Sequence, residues 1–451
     1  MSVHPIEYRY FYPEMKLLFT EEYRLQKWLD VEAALAQAHA DLGDIPREAA
    51  EEISRKASVK YVKLQRVKEI EDQIHHDLMA MVKALTEVCE GGAGAYVHLG
   101  ATSYDIEDTA TALQLKEAIK IILDDLINLK DVVVDLADKY KTLVCVGRTH
   151  GQHALPTTYG LKFAIWAYEI HRHIIRLIQL KPRVLVGKMT GAVGTMAGFG
   201  EKGFQIQELV MRKLGLKPAE TSNQIVQRDR IAELILFTAL VAATLNKIGK
   251  ELRNLQRTEI GEVWEEFKET QVGSSTMPHK RNPHKSERIC GLSRILIGNV
   301  FPALENVALE HERDLTNSAP ERIIIPENLI LLDYMLKQLT QILKNIKLDE
   351  FNITRNLGLT RGLIMAEKIM LELVNKGLGR QQAHELLRRC AMISWSQRID
   401  FKQALLNEPE IASLVTPGEL DEWLNPISYI GTAVSQVEKA VQELRGYRYE
   451  L

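Results

Sequence analysis

Two long, unbroken apolar stripes of helical period constrain this chain more than any other feature. The first runs through Leu115, Ile119, Ile122, Leu126, Leu129, Val133 and Leu136, and no Gly or Pro interrupts the chain between Ala101 and Tyr140. The second runs through Ile231, Leu234, Thr238, Val241, Leu245, Ile248, Leu252 and Leu255. Apolar residues returning at alternating steps of three and four line one side of an α-helix. At 1.5 Å per residue each rod is on the order of 40 Å or longer, well beyond the usual globular helix. The second rod is apolar on further sides through Ile235, Leu236, Phe237, Leu240, Ala242 and Ala243. That pattern predicts burial at the centre of a bundle, either within one chain or against identical rods of symmetric copies. Strand signals are scarce, so the expected fold class is all-α.

Turn residues divide the chain into three expected helical domains. Residues 1–100 close on the turn Gly91-Gly92-Ala93-Gly94, residues 101–349 carry the long rods, and residues 350–451 resume shorter amphipathic segments split at Lys376-Gly377-Leu378-Gly379. Fifty-seven basic against sixty acidic residues give a net charge of -3, without the Lys/Arg tract that a nucleic-acid backbone would call for. Residues Met1 to Tyr12 lack the basic-then-apolar order of a signal peptide. The most apolar stretch, around Ala232 to Leu245, contains Glu233, Thr238 and Thr244 and is too short and polar to span a bilayer. Cys89, Cys145, Cys290 and Cys390 stand far apart, as reduced thiols do. The expectation is a cytoplasmic protein with neither nucleic acid nor membrane as partner.

Chemistry concentrates where the helical pattern breaks. The segment from Gly273 to Pro283 reads Gly-Ser-Ser-Thr-Met-Pro-His-Lys-Arg-Asn-Pro and must be a loop. Small hydroxyls, backbone amides, a Lys and an Asn can converge on a carboxylate, although a solvated turn has the same composition. Thr102-Ser103 reads on its own as a helix N-cap. Gly198 to Gly203 matches GxGxxG but no strand precedes it, so nucleotide cradling is not expected there. The thirteen histidines come with no metal-ligating spacing, so no metal and no cofactor are expected.

The loop from Gly273 to Pro283 resembles the signature GSSxMPxKxNP of the fumarase, aspartase and argininosuccinate lyase superfamily, matching every fixed position. The segments Leu99 to Thr109 and Gly147 to Thr158 fit the same superfamily in the same order, so the likeness spans nearly the whole chain. Within it, Arg9-Tyr10 before Pro13-Glu14-Met15, His76-Asp77, His98 and the His-Lys-Arg-Asn-Pro ending resemble the adenylosuccinate lyase family. The resemblance implies a homotetramer with a central long-helix bundle, in which three subunits contribute to each site. It implies β-elimination of fumarate from succinylated purine-pathway nucleotides. Ser274 is then the base, His150 the proton donor to the leaving nitrogen, and Lys280 the stabiliser of the carbanion, with His76 and Glu287 completing the catalytic group. Substrate contacts implied in the same way are Arg9, Tyr10, Asp77, His98, Thr102, Ser103, Thr149, Gln224, Ser275, Met277, Asn282, Arg313, Ser318 and Arg322. Another fumarate-releasing lyase of the superfamily and a non-catalytic helical assembly are the competing readings.

Overall fold

A computed structural model describes residues 3–267, 276, 277 and 279–449 of the chain. Five helices form its central bundle: α1 (Ser103–Lys139), α2 (Tyr159–Val184), α3 (Asp229–Leu255), α4 (His284–Gly298) and α5 (Ser318–Lys344). The stripe residues of α1 from Leu115 to Val133 are all buried, and so are those of α3 from Leu234 to Leu255. Each rod exists because its stripe is covered by the others, since propensity alone does not hold a helix of this length in water.

The rods have a polarity that places the site residues. Arg228, just before α3, bonds Asp108 on α1 at 2.7 Å and lies 3.2 Å from Glu321 on α5, so these three helices start together. Lys337 on α5 stands 3.9 Å from Asp125 on α1 further along, so they also run parallel. Helix α2 runs back, with Arg183 at its end against Glu233 and Lys162 at its start against Glu251. Helix α4 also runs back, with Cys290 Sγ donating to the Asn246 carbonyl and Asn328 Nδ2 donating to the Leu296 carbonyl. The bundle therefore has two poles. One gathers the starts of α1, α3 and α5; the other gathers the ends of α1 and α3 with the starts of α2 and α4.

A β-hairpin, β1 (Val144–Thr149) with β2 (Gln152–Thr158), joins α1 to α2 at the second pole. The other strands described form ladders of two residues each. The hairpin is the element that the scarcity of strand signals did not foresee. Helices Glu21–Asp41, Arg47–Lys56, Leu64–Ile74 and Asp77–Val88 share a core with the beginning of α1 and with residues 189–211. A third core lies between Ile369 and Trp423. The last helix, Ala433–Gly446, packs Val437, Ala440 and Leu444 back onto the bundle.

Helix α3 is, among the described residues, the one helix long and apolar enough to cross a membrane, and most of it is buried by its neighbours. Its coverage is incomplete. Leu236 and Leu240 remain 43% and 46% exposed.

Candidate active site

At the first pole, Asp105 fixes the start of α1. Its carboxylate accepts the Thr102 N–H at 2.8 Å, the Thr190 N–H at 2.9 Å and the Gly191 N–H at 3.1 Å, and pairs with the fully buried Lys188. The glycine-rich run beginning at Gly187 is thereby pinned at its start beside Thr102 and Ser103. Arg322, in the second turn of α5, donates to Asp77 at 2.6 Å. Burial alone would raise the Asp77 carboxyl, but that guanidinium holds it below the usual range. Arg313 lies 3.5 Å over the Tyr104 ring and donates to Gln224 Oε1 at 3.0 Å, while its Nε and Nη2 have no hydrogen-bond partner among the described residues. Tyr104 O–H donates to Ser318 at 3.4 Å. A cavity of about 430 Å³ opens between Arg24, Trp28, Tyr104, Glu107, Ser318 and Arg322.

Two expected histidines flank this cluster. His76 caps the helix Asp77–Val88, its Nδ1 accepting the Met79 N–H at 3.4 Å. His98 lies before α1 with φ 64°, and its Nδ1 meets Glu32 Oε1 at 2.6 Å. His75 ends the preceding helix at φ 54°. Arg9 and Tyr10 sit further along α5. Tyr10 packs edge-on against Tyr334 with centroids 5.7 Å apart, about 18 Å beyond Arg322 along the axis.

The second pole carries the loop. Ser274 and Ser275 lie outside the described residues. Downstream, Gln256 at the end of α3 donates to the Arg281 carbonyl at 3.1 Å and accepts the Glu265 N–H at 3.1 Å. Glu265 in turn accepts the Ser286 N–H at 2.8 Å and its hydroxyl at 2.5 Å. Gln256 and Glu265, which sequence reasoning missed, thus tie Arg281 and the first turn of α4 to the end of α3. Lys280, Met277, Asn282 and Glu287 line a cavity of about 1160 Å³ together with Lys250, Arg253, Arg257 and Lys347. Cationic side chains outnumber carboxylates there, which suits a dianion.

The hairpin projects from the same pole. Thr149 pairs with Gln152, so His150 and Gly151 form a two-residue turn with φ 55° and 75°, both in the left-handed region. Such turns match the twist of the strands they join, and they present the first turn residue at the tip. Thr149 and His150 are exposed there. Buried Glu262 clamps the base of the hairpin, accepting from Arg148 at 2.5 Å, Tyr159 O–H at 2.5 Å and Asn356 at 2.8 Å.

Distance separates these groups within one chain. Helix α1 has 37 residues, so about 55 Å of rod lies between Thr102-Ser103 and the hairpin of His150. Helix α3 has 27 residues, which places the Lys280 loop about 40 Å from Arg322. The chain brings together His76, Asp77, His98, Thr102, Ser103, Gln224, Arg313, Ser318 and Arg322 at one pole, and Thr149, His150, Lys280, Asn282 and Glu287 at the other. Among the described residues no three His, Cys, Asp or Glu side chains form a metal-ligating group.

A family model described as Lyase matches residues 7–298, and one described as Adenylosuccinate lyase C-terminus matches residues 362–440. The chain is 58% identical over 442 residues to the adenylosuccinate lyase of Pyrococcus horikoshii, covering 98% of each. It is 54% identical over 450 residues to that of Methanocaldococcus jannaschii, covering 100% of this chain and 97% of the other. Among solved structures, 3-carboxy-cis,cis-muconate lactonizing enzyme from Pseudomonas putida superposes with a TM-score of 0.90 at 35% identity, covering 98% of both chains.

Proposed function

The chain belongs to the adenylosuccinate lyase family, and from that membership we propose that it cleaves adenylosuccinate to AMP and fumarate, and succinyl-aminoimidazole-carboxamide ribotide to AICAR and fumarate, without hydrolysis. The difficult step is removal of a proton from the carbon beside a carboxylate, because the resulting aci-carboxylate is a dianion. Ser274 takes the proton. Lys280, Asn282 and loop amides meet the charge that develops, where one preorganised donor supplies about 3 kcal/mol. His150 then protonates the departing nitrogen, a task that a positioned imidazolium can perform as general acid. Arg313, Ser318 and Arg322 of one protomer, with Arg9 and Tyr10 of another, hold the nucleotide phosphate and ribose, since guanidinium forks match phosphate oxygens.

The enzyme acts in the cytosol as a homotetramer of three-domain subunits, with residues 1–100, 101–349 and 350–451 as the domains. The exposed Leu236 and Leu240 on the central rod support self-association, as does the separation of the two poles. Opposed poles of neighbouring protomers bring His76 and Arg322 of one chain to Lys280 and His150 of others.

The observation that carries this reading is the anchored loop with Lys280 and Asn282 lining a cation-rich cavity, in a chain 58% identical to an adenylosuccinate lyase. The test is the ultraviolet absorbance change on mixing the purified protein with adenylosuccinate, run beside argininosuccinate and 3-carboxy-cis,cis-muconate. Turnover of adenylosuccinate is expected. Turnover of only one of the other two substrates would overturn the assignment.

A further inference from the structure

Glu32 has no place in the chemistry above, yet it occupies a costly position. It sits in the helix Glu21–Asp41 between the buried residues Trp28, Leu29, Val31 and Leu35, and is itself 1% exposed. An ionised carboxylate there is tolerated only with strong partners. Both partners come from one residue: His98 donates its backbone N–H to Oε2 at 3.1 Å and its Nδ1 to Oε1 at 2.6 Å. The double grip holds His98 in a left-handed conformation, φ 64°, that a residue with a side chain seldom adopts without compensation. With Nδ1 taken, only Nε2 can face a ligand, and no group among the described residues bonds it.

We infer that Glu32 is a positioning residue that keeps His98 as a doubly protonated donor aimed at an anionic group of the substrate, either a succinyl carboxylate or the nucleotide phosphate. The inference rests on the reading that His98 touches substrate. Burial opposes the charge on His98, but Glu32 and, less strongly, Asp105 at the start of α1 overcome it and raise its pKa. Lys188 pairs with Asp105, and His39 lies between Asp44 and the carbonyl of Leu99, the residue after His98. A carboxylate behind an imidazole fixes its ring orientation and tautomer in the same way at metal sites.

The experiment is an NMR titration of the whole enzyme carrying labelled histidine, with His98 assigned by its loss in His98→Gln. In the unaltered enzyme His98 is expected to titrate above the ordinary histidine range, and in Glu32→Gln to fall back toward or below it. Inorganic phosphate and succinate are added separately. The anion that raises the His98 pKa further identifies the source, and no response to either would overturn the inference. Kinetically, Glu32→Gln should raise KM at pH 8 about tenfold, the size of one charge-assisted hydrogen bond, with kcat little changed and Glu32→Asp recovering part of the loss. An unchanged KM in folded Glu32→Gln would count against it. Should that variant not fold, the unaltered enzyme decides, because a His98 titrating at or below the ordinary range contradicts the inference. Failure of the unaltered enzyme to cleave adenylosuccinate would instead sink the functional reading, and the titration would stand apart from it.

Discussion

His150 concentrates the residue-scale consequences. It stands at the tip of a left-handed two-residue turn, where its side chain can be exchanged without disturbing a core. His150→Gln should lower kcat at least a hundredfold and leave the dissociation constant for adenylosuccinate within about twofold, because proton donation contributes that much and ground-state binding does not depend on it. Single-turnover kinetics with equilibrium dialysis check both halves. Glu107 carries a consequence of a different kind. Burial, and then the Asp77 carboxylate, push it from 4.5 up to about 8. Between those values the folded protein keeps a proton that the unfolded chain releases, so stability falls as pH rises through that window and stays reduced above it. Glu107→Gln removes the effect: it should stabilise the protein by on the order of 2–4 kcal/mol at pH 9 and scarcely at pH 4, read by denaturant unfolding at both. Motif residues were legible as residue types in order, but their supports were not. Glu32 was the most visible of these, an acid inside the otherwise apolar stretch from Val31 to Ala36, whereas Lys188 and Glu262 reveal themselves through partners distant in sequence.

Elements position these residues, and some were easier to read than others. The rods α1 and α3 follow directly from period and from absence of helix breakers, because an apolar stripe of that period and length lines one face only of a helix. The β1–β2 hairpin escaped because its strands alternate weakly and its turn is set by His150-Gly151, a pair that carries positive φ less openly than Asn-Gly. Gln256 and Glu265 escaped as well, since a side-chain brace between a helix end and a loop leaves no periodic trace. Glu265→Ala tests that brace. It leaves the buried Ser286 N–H without its acceptor, so a loss of about 1–3 kcal/mol in stability is expected, with kcat falling more than KM rises as Lys280 loses its fixed position. Denaturant unfolding and steady-state kinetics on the same preparation measure the two.

At the scale of the whole molecule, the proposed reaction asks two poles some 40 to 55 Å apart to serve one small substrate, and a rigid bundle would do so by association with other copies. The exposed Leu240 on α3 is the place to break it: Leu240→Glu should yield monomers or dimers by light scattering, with activity lost and helicity retained. The most direct measurement mixes two inactive variants whose lesions lie at opposite poles, His76→Gln and His150→Gln, by co-expression. If each site draws these histidines from different protomers, random mixing leaves about one site in four intact, and roughly a quarter of the unaltered rate should return. A mixture no more active than either parent would contradict the shared site.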